Sequence, residues 1–451
     1  MNLLKKFLMF VICLLSLLLL YKQVDAGAKK AHTIDELAAM FDSSSCKECH
    51  EEIYEQWEKS AHAYSLWGEG GRMVATLGSA ITKGAMTWPY SEVKRIEDVK
   101  MKHLWPCFKC TLPQARYADD NVAQEIVKAI FELRNPKVKR EIKKKDIEKL
   151  KKLNINCLVC HQEKAIVHKW VYGPPQRNAI YGSHNGEHPC EKYPILKKSP
   201  QISWSIFCGQ CHGLGPNFEL ENPTQCPTLY GHYLFSYIAR GGRESCQDCH
   251  MRKFHQGHLM PAYRVPEMVK VMAKAALDFN VDARSYYWRK NKEEGVIPLA
   301  VIKVKMTSKA GHAFPDGCPT PNRLVLNVSA KTPGGKVIYK KTKLYLPFPA
   351  RFGNHALEGR GGYEKCGMIA ETCPQPFQTI KETFMIPFPY RDIKKGKKVV
   401  RELLSNEMDV NIELWYVPFG EMKGFLSRYN VLWDKITKKV TIKRIKNAFI
   451  P

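Results

Sequence analysis

The chain has 451 residues, with 70 Lys and Arg against 44 Asp and Glu for a formal charge of +26, and it carries 16 cysteines and 15 histidines. Beyond the N-terminus no stretch is long and apolar enough to cross a membrane, which excludes a protein built of several spanning helices. The basic balance points to acidic partners or anionic surfaces.

Met1 to Ala26 carries Lys5 and Lys6, an apolar run of 14 residues from Phe7 to Leu20, and a small-residue end at Val24-Asp25-Ala26. This is the pattern of a secretory signal peptide cleaved near Ala26. Retention as an anchor is the alternative, although the run is short for one, and Cys13 lies too deep in it to look like a lipidation site. A mature chain of roughly 425 residues is long enough for two or three domains. It is expected in a periplasmic or extracellular compartment, where disulfides persist.

From Cys46 to about Pro266 the sequence is rich in Cys, His, Gly and Pro, with short helical pieces at Glu51 to Tyr64 and Val122 to Leu133. Lys137 to Lys152 is dominated by lysine, with Ile142, Ile147 and Leu150 at near-helical spacing, and reads as a solvated amphipathic helix. Pro266 to about Glu294 reads as a further helix, since Met268, Val271, Met272, Ala275 and Ala276 recur every three or four residues.

Beyond it the pattern turns to strands. Val301 to Met306 alternates, Arg323 to Ser329 joins Val337 to Lys341 through a Thr332-Pro-Gly-Gly turn, and Asn411 to Val417 and Lys439 to Arg444 follow. The expected division is a signal peptide over 1–26, a mostly irregular and α-helical domain over 27–265, a connecting helix over 266–295, and an all-β domain of immunoglobulin-like sandwich type over 296–451.

Four copies of CxxCH give the first domain its chemistry: Cys46, Cys49, His50; Cys157, Cys160, His161; Cys208, Cys211, His212; and Cys246, Cys249, His250. Two thiols at this spacing form thioethers to the vinyl groups of one haem, and the adjacent histidine ligates its iron. A single CxxC also suits a redox dithiol or half of a zinc site. Four copies each followed by His, behind an export signal, point instead to four covalent c-type haems. The irregular first domain agrees, because porphyrins supply apolar core themselves. Haem propionates would cancel roughly eight of the positive charges and leave the chain basic. Nucleic acid is excluded as a partner, since an exported haem protein rarely meets it.

Eleven histidines lie outside the motifs, enough to make every iron six-coordinate. A helix leaving His50 stays on one side of its own ring, so His62 is expected to ligate a different haem. The same reasoning is applied to His168, seven residues past His161. His258 and His312 complete the expected set of second ligands; His312, in Gly311-His312-Ala-Phe-Pro315, would reach from the second domain to the first. For His255 and His258, the loop around Gly257 and Pro261 leaves both options open. His103, His184, His188, His232 and His355 read as structural histidines.

A fifth CxxC, Cys107-Phe-Lys-Cys110, is followed by Thr111, a very poor iron ligand. It reads as a disulfide or a lost haem site, with a haem ligated from a distance as the alternative. Cys190, Cys226, Cys318, Cys366 and Cys373 remain in the mature chain. Spacing suggests a bond between Cys366 and Cys373, and Cys190 with Cys226 is a second pairing.

Cys46 to His62, with Trp57 and Ser60, resembles the haem module of multihaem cytochromes related to octahaem and pentahaem reductases. The phrases around Cys157 to Trp170, Cys208 to Pro216, Asn222 to Gly231 and Cys246 to Met251 resemble the tetrahaem extracellular cytochromes that polymerise into nanowires, the outer-membrane cytochrome E type; the match covers roughly residues 40 to 265. The resemblance implies bis-histidine haems in parallel and perpendicular pairs, at least one haem completed by a histidine of the next subunit, and a β-rich domain on the filament exterior. Gly311 to Gly317 resembles a GHxxPTG element of such proteins, with Asp316 in place of Thr and Cys318 following.

Two functions are open on this reading. One is an electron conduit that passes charge between saturated haems to redox-partner cytochromes or an external acceptor, as a filament subunit. The other is a multihaem oxidoreductase of small nitrogen or sulfur compounds with one open iron.

Overall fold

The computed structural model describes residues 30–68, 71–88, 90–213, 229–260, 264–289, 295–315, 322–351, 365–396, 398–445 and 449–450. The expected signal peptide lies outside these residues.

The N-terminal half is helical up to the second motif. It contains α1 (Ile34–Met40), α2 (Glu51–Lys59), α3 (Arg72–Lys83), α4 (Met101–Thr111), α5 (Asp120–Arg134) and α6 (Arg140–Lys151). Helix α5 is the hub. Val122, Ala123, Ile126, Val127 and Ile130 fall on one face at three- and four-residue spacing and are all buried. They meet Leu77 and Ile81 of α3, Leu104 and Phe108 of α4, and Ile34 and Leu37 of α1 in one core. Asp119 starts α5 by accepting from the amides of Asn121 at 2.9 Å and Val122 at 3.4 Å. The lysine-rich segment forms α6 as expected, burying Leu150 while Ile142 stays 42 % exposed.

The contrast between those two helices is measurable. Ile126→Ala should cost about 2–5 kcal/mol in thermal or denaturant unfolding, because a closed core cannot collapse onto the lost volume. Ile142→Ala on α6 should cost about 0.5 kcal/mol or less.

After α6 regular structure thins out. Short helical turns at 159–163, 205–209, 229–232 and 248–252 alternate with a small sheet of β1 (Ala179–Gly182), β2 (Gly186–Glu187) and β3 (Ile195–Lys198), in the order β1-β3-β2. Helix α7 (Pro266–Ala276) then leads into the β-rich half.

Here the structure corrects the sequence expectation. The helix does not continue to residue 294 but stops at Ala276, and Leu277–Arg289 is strand β4. The apolar three- and four-residue spacing ends at Ala276. The next stretch, Phe279 to Trp288, alternates between more and less buried positions with period two, which only a strand satisfies.

The remaining strands are β5 (Val296–Ser308), β6 (Arg323–Lys331), β7 (Val337–Tyr345), β8 (Pro347–Arg351), β9 (Lys365–Glu371), β10 (Thr379–Pro387), β11 (Tyr390–Lys395), β12 (Lys398–Leu403), β13 (Glu407–Val417), β14 (Val431–Thr441) and β15 (Phe449–Ile450). Two antiparallel sheets, β10-β5-β4 and β14-β13-β6-β7, share a core. Ile302, Val304, Met306, Phe384 and Ile386 come from the first, and Leu326, Val328, Val410, Ile412, Leu414 and Trp433 from the second. Smaller ladders, β11-β12-β15 and β8-β9, complete the described strands. The expected turn joins β6 to β7, with Gly335 at φ +82°, a conformation glycine adopts without strain. No helix among the described residues is long and apolar enough to cross a membrane.

Candidate haem centres

The irregular segments bring histidines together in pairs, one from each motif and one from elsewhere in the same chain. His50 stacks with His188, ring centres 6.4 Å apart and planes 15° apart. His161 faces His258 at 6.1 Å and 30°. His250 faces His312 at 6.2 Å and 11°, and His62 faces His212 at 6.2 Å but nearly perpendicular, at 77°.

Ring centres 6.1–6.4 Å apart lie at the wide end of the range for paired rings. An imidazole nitrogen binds a metal at about 2 Å, which puts the centres of two rings on opposite sides of one ion about 6 Å apart. All four pairs therefore fit a six-coordinate iron held by two histidines.

Hydrogen bonds set the tautomers that such a role requires. Nδ1 of His161 lies 2.8 Å from the carbonyl of Tyr181, that of His188 2.8 Å from the carbonyl of Tyr193, and that of His312 2.8 Å from the carbonyl of Ala313. Carbonyls only accept, so each Nδ1 carries the proton and each Nε2 keeps its lone pair for a metal. Burial pushes His62, His250 and His258 down to about 4, and the facing histidine adds to the effect in each case. These rings are neutral at pH 7, the form that ligates.

Local folding explains the placements. His50 is the residue before α2, and its amide donates to the Cys46 carbonyl at 2.9 Å, so the motif is a single helical turn. Helix α2 ends at Ser60 in extended backbone, and His62 begins a separate turn. The chain thus carries His62 away from His50 and across to His212. Gln56 of α2 accepts from the His258 amide at 2.9 Å and holds that loop against the first motif. His188 sits between β2 and β3, and its amide donates to the Pro194 carbonyl at 2.9 Å.

Contacts between motifs link the four CxxCH segments in series. Cys46 lies against Cys157, between the first and second motifs, and Cys208 lies against Cys246, between the third and fourth. Cys160 lies within electrostatic reach of Cys211 and Cys208, and the Ile155 amide donates to the His62 carbonyl at 3.1 Å, so the second centre meets the third.

His168 is not paired with a motif histidine in the described ring contacts. The helical turn after His161 ends at Glu163, so His168 is not on a continuous helix with His161. Its ring meets Trp170 edge-on at 6.3 Å and 72°. The ring opposite the remaining motif is His188, which the sequence reading had set aside as structural. Nothing in the linear pattern Gly-Glu-His-Pro-Cys signals this, because the contact depends on the small sheet that orients it. His103 is structural as expected: Nδ1 accepts from the Lys100 amide at 2.8 Å and Nε2 donates to the Ser91 carbonyl at 2.9 Å. His184 is exposed beside Ser183, and His355 lies outside the described residues.

One buried carboxylate was not singled out in the sequence. Glu163, 5 % exposed, accepts from Arg116 at 3.1 Å, Tyr117 at 2.6 Å and Lys169 at 3.3 Å. It ties the end of the second motif to the helical half. Among the other cysteines, no disulfide joins Cys107 to Cys110. Cys226, Cys318 and the Cys366 side chain lie outside the described residues, as does Asp316.

Among solved structures the chain is similar to the penta-heme cytochrome c552 from Thermochromatium tepidum, with a TM-score of 0.53 and 18 % identity, over 89 % of this chain and 99 % of that one. The fold is that of a multihaem cytochrome c. A second solved structure, a structural-genomics target, has a TM-score of 0.18 at 10 % identity, over 36 % of this chain and 86 % of that one, and carries no argument. No protein-family model and no curated protein matches the chain.

The likeness covers 89 % of the chain, so it extends into the strand-rich half as well as the half that carries the CxxCH motifs. His312 makes the connection concrete, since it follows β5 yet faces the fourth motif.

Proposed function

We propose that the chain is an exported electron carrier with four covalent c-type haems, each ligated by two histidines of the same polypeptide. Cys46 and Cys49, Cys157 and Cys160, Cys208 and Cys211, and Cys246 and Cys249 anchor the four rings. The axial pairs are His50 with His188, His161 with His258, His62 with His212, and His250 with His312. The observation that carries this is the four ring separations of 6.1–6.4 Å.

When bound, the haems supply one-electron chemistry. The polypeptide does the rest. It fills both axial positions, leaving no open iron for a substrate, and it strings the four sites in order through touching motif cysteines. Electrons enter from a redox-partner cytochrome and leave to an acceptor outside the cell. The strand-rich half is an immunoglobulin-like sandwich whose part in the relay is to deliver His312.

The resemblance to filament-forming cytochromes implied a ligand shared between subunits. Each motif histidine here faces a ring of its own chain, so the proposed relay is complete in one copy. Filament growth, where it occurs, then rests on surface contacts.

Low-temperature EPR of the oxidised protein tests the reading. Near-parallel imidazole planes split the iron d orbitals and give rhombic low-spin signals, whereas perpendicular planes leave them nearly degenerate. Three rhombic signals and one strongly anisotropic low-spin signal, from His62 and His212, are expected, unchanged on dilution. A high-spin signal in the intact protein would overturn the reading in favour of an oxidoreductase.

A further inference from the structure

We propose that Cys107 and Cys110 form a thiol–disulfide couple lying against the third haem anchor, and do not hold a fifth haem. The inference rests on the four-haem reading above and concerns the one CxxC that the reading leaves unused.

The residues around this pair do not fit an axial ligand. Thr111 stands where each complete motif has histidine, and its hydroxyl donates to the Cys107 carbonyl at 2.9 Å. His103, one turn earlier on α4, has both ring nitrogens engaged within the protein. Eight of the chain's histidines face one another in the four pairs already described. His32 is held by Asp119 at 2.5 Å and His168 by Trp170.

The same residues do fit a dithiol. Cys107 and Cys110 occupy positions i and i+3 in the last turn of α4, and both are half-buried. Side chains at this spacing are neighbours with Cβ atoms about 5–6 Å apart, so a slight tightening of the final turn brings them into disulfide range. The Cys110 thiol hydrogen-bonds the Cys211 sulfur, and Lys109 and Lys164 act on both. The bond to Cys211 and burial push the Cys110 thiol up against the pull of these two lysines, so Cys110 rests as the thiol that donates to Cys211.

The reaction balances without a metal. A small disulfide RSSR takes the two thiols to an intramolecular disulfide and leaves as two RSH, which carry away both protons. Closing the bond removes the S–H that Cys110 offers to Cys211. That sulfur becomes a haem thioether, so its electron density rises and the iron ligated by His212 becomes harder to reduce.

The test uses the full-length haem-loaded protein, equilibrated with oxidised or reduced glutathione, then alkylated and analysed by intact mass and by mapping of the Cys107 and Cys110 peptide. Expected are four haem increments, alkylation of this pair only after reduction, and one haem midpoint that rises on reduction of the pair. In C107S/C110S the haem count stays four and the midpoint stops responding. Five increments falling to four in C107S/C110S would overturn the proposal. So would equal alkylation under both conditions in the wild-type protein, a result that needs no variant to fold. A haem-free protein in which the pair still cycles would support the couple and sink the four-haem reading alone.

Discussion

His188→Ala should convert about one quarter of the haem iron to a five-coordinate high-spin form, whereas His168→Ala should leave the spectrum unchanged. Both residues follow the second motif, and sequence spacing favours His168. The geometry favours His188, which stacks at 6.4 Å with His50 and has its Nδ1 at a backbone carbonyl, while the His168 ring lies against Trp170. Removing His188 leaves His50 in place, so the haem stays attached and the intact mass still counts four. His188→Met should restore six-coordination with a higher midpoint, because thioether ligation stabilises ferrous iron. EPR and intact mass on the three variants decide between the two assignments.

His312→Ala should open the fourth haem in the same way and also loosen the tie between the two halves. The strand-rich half has its own core around Phe384, Leu326 and Trp433, so its stability should hold within the few tenths of a kcal/mol expected of a change outside that core. The attachment between the halves should weaken instead. Arg240 still donates to the Pro376 carbonyl at 2.8 Å, and Tyr237 still stacks on Phe377 at 5.4 Å, so the halves remain in contact. Limited proteolysis should show faster cleavage near 264–289, together with a high-spin signal for about one quarter of the iron. An unaltered EPR spectrum would remove His312 from the ligand set.

Much of this architecture was legible in the sequence because its signals are local. The CxxCH pattern repeats four times, and β6 and β7 announce themselves through alternation and a turn with two glycines. The direction of α2 away from His50 was enough to send His62 to another motif, and the structure places His212 there. What escaped was whatever depends on long-range placement. The position of His188 follows from a three-stranded sheet too short to leave a periodic signal. The length of α7 was overestimated because Phe279, Val281 and Ala283 continue an apolar content that only their burial pattern identifies as strand. Glu163 looks like any surface glutamate until Arg116, Tyr117 and Lys169 converge on it from other segments.

The four ring pairs overlap along the polypeptide. The pair that opens at residue 50 closes at 188; before it closes, others open at 62 and at 161. With an iron in each gap, these pairs are stitches that cross one another. A molecule nicked once between 62 and 161 should still migrate as one particle on a sizing column, because the crossing ligand pairs add to the shared core that already joins the two pieces.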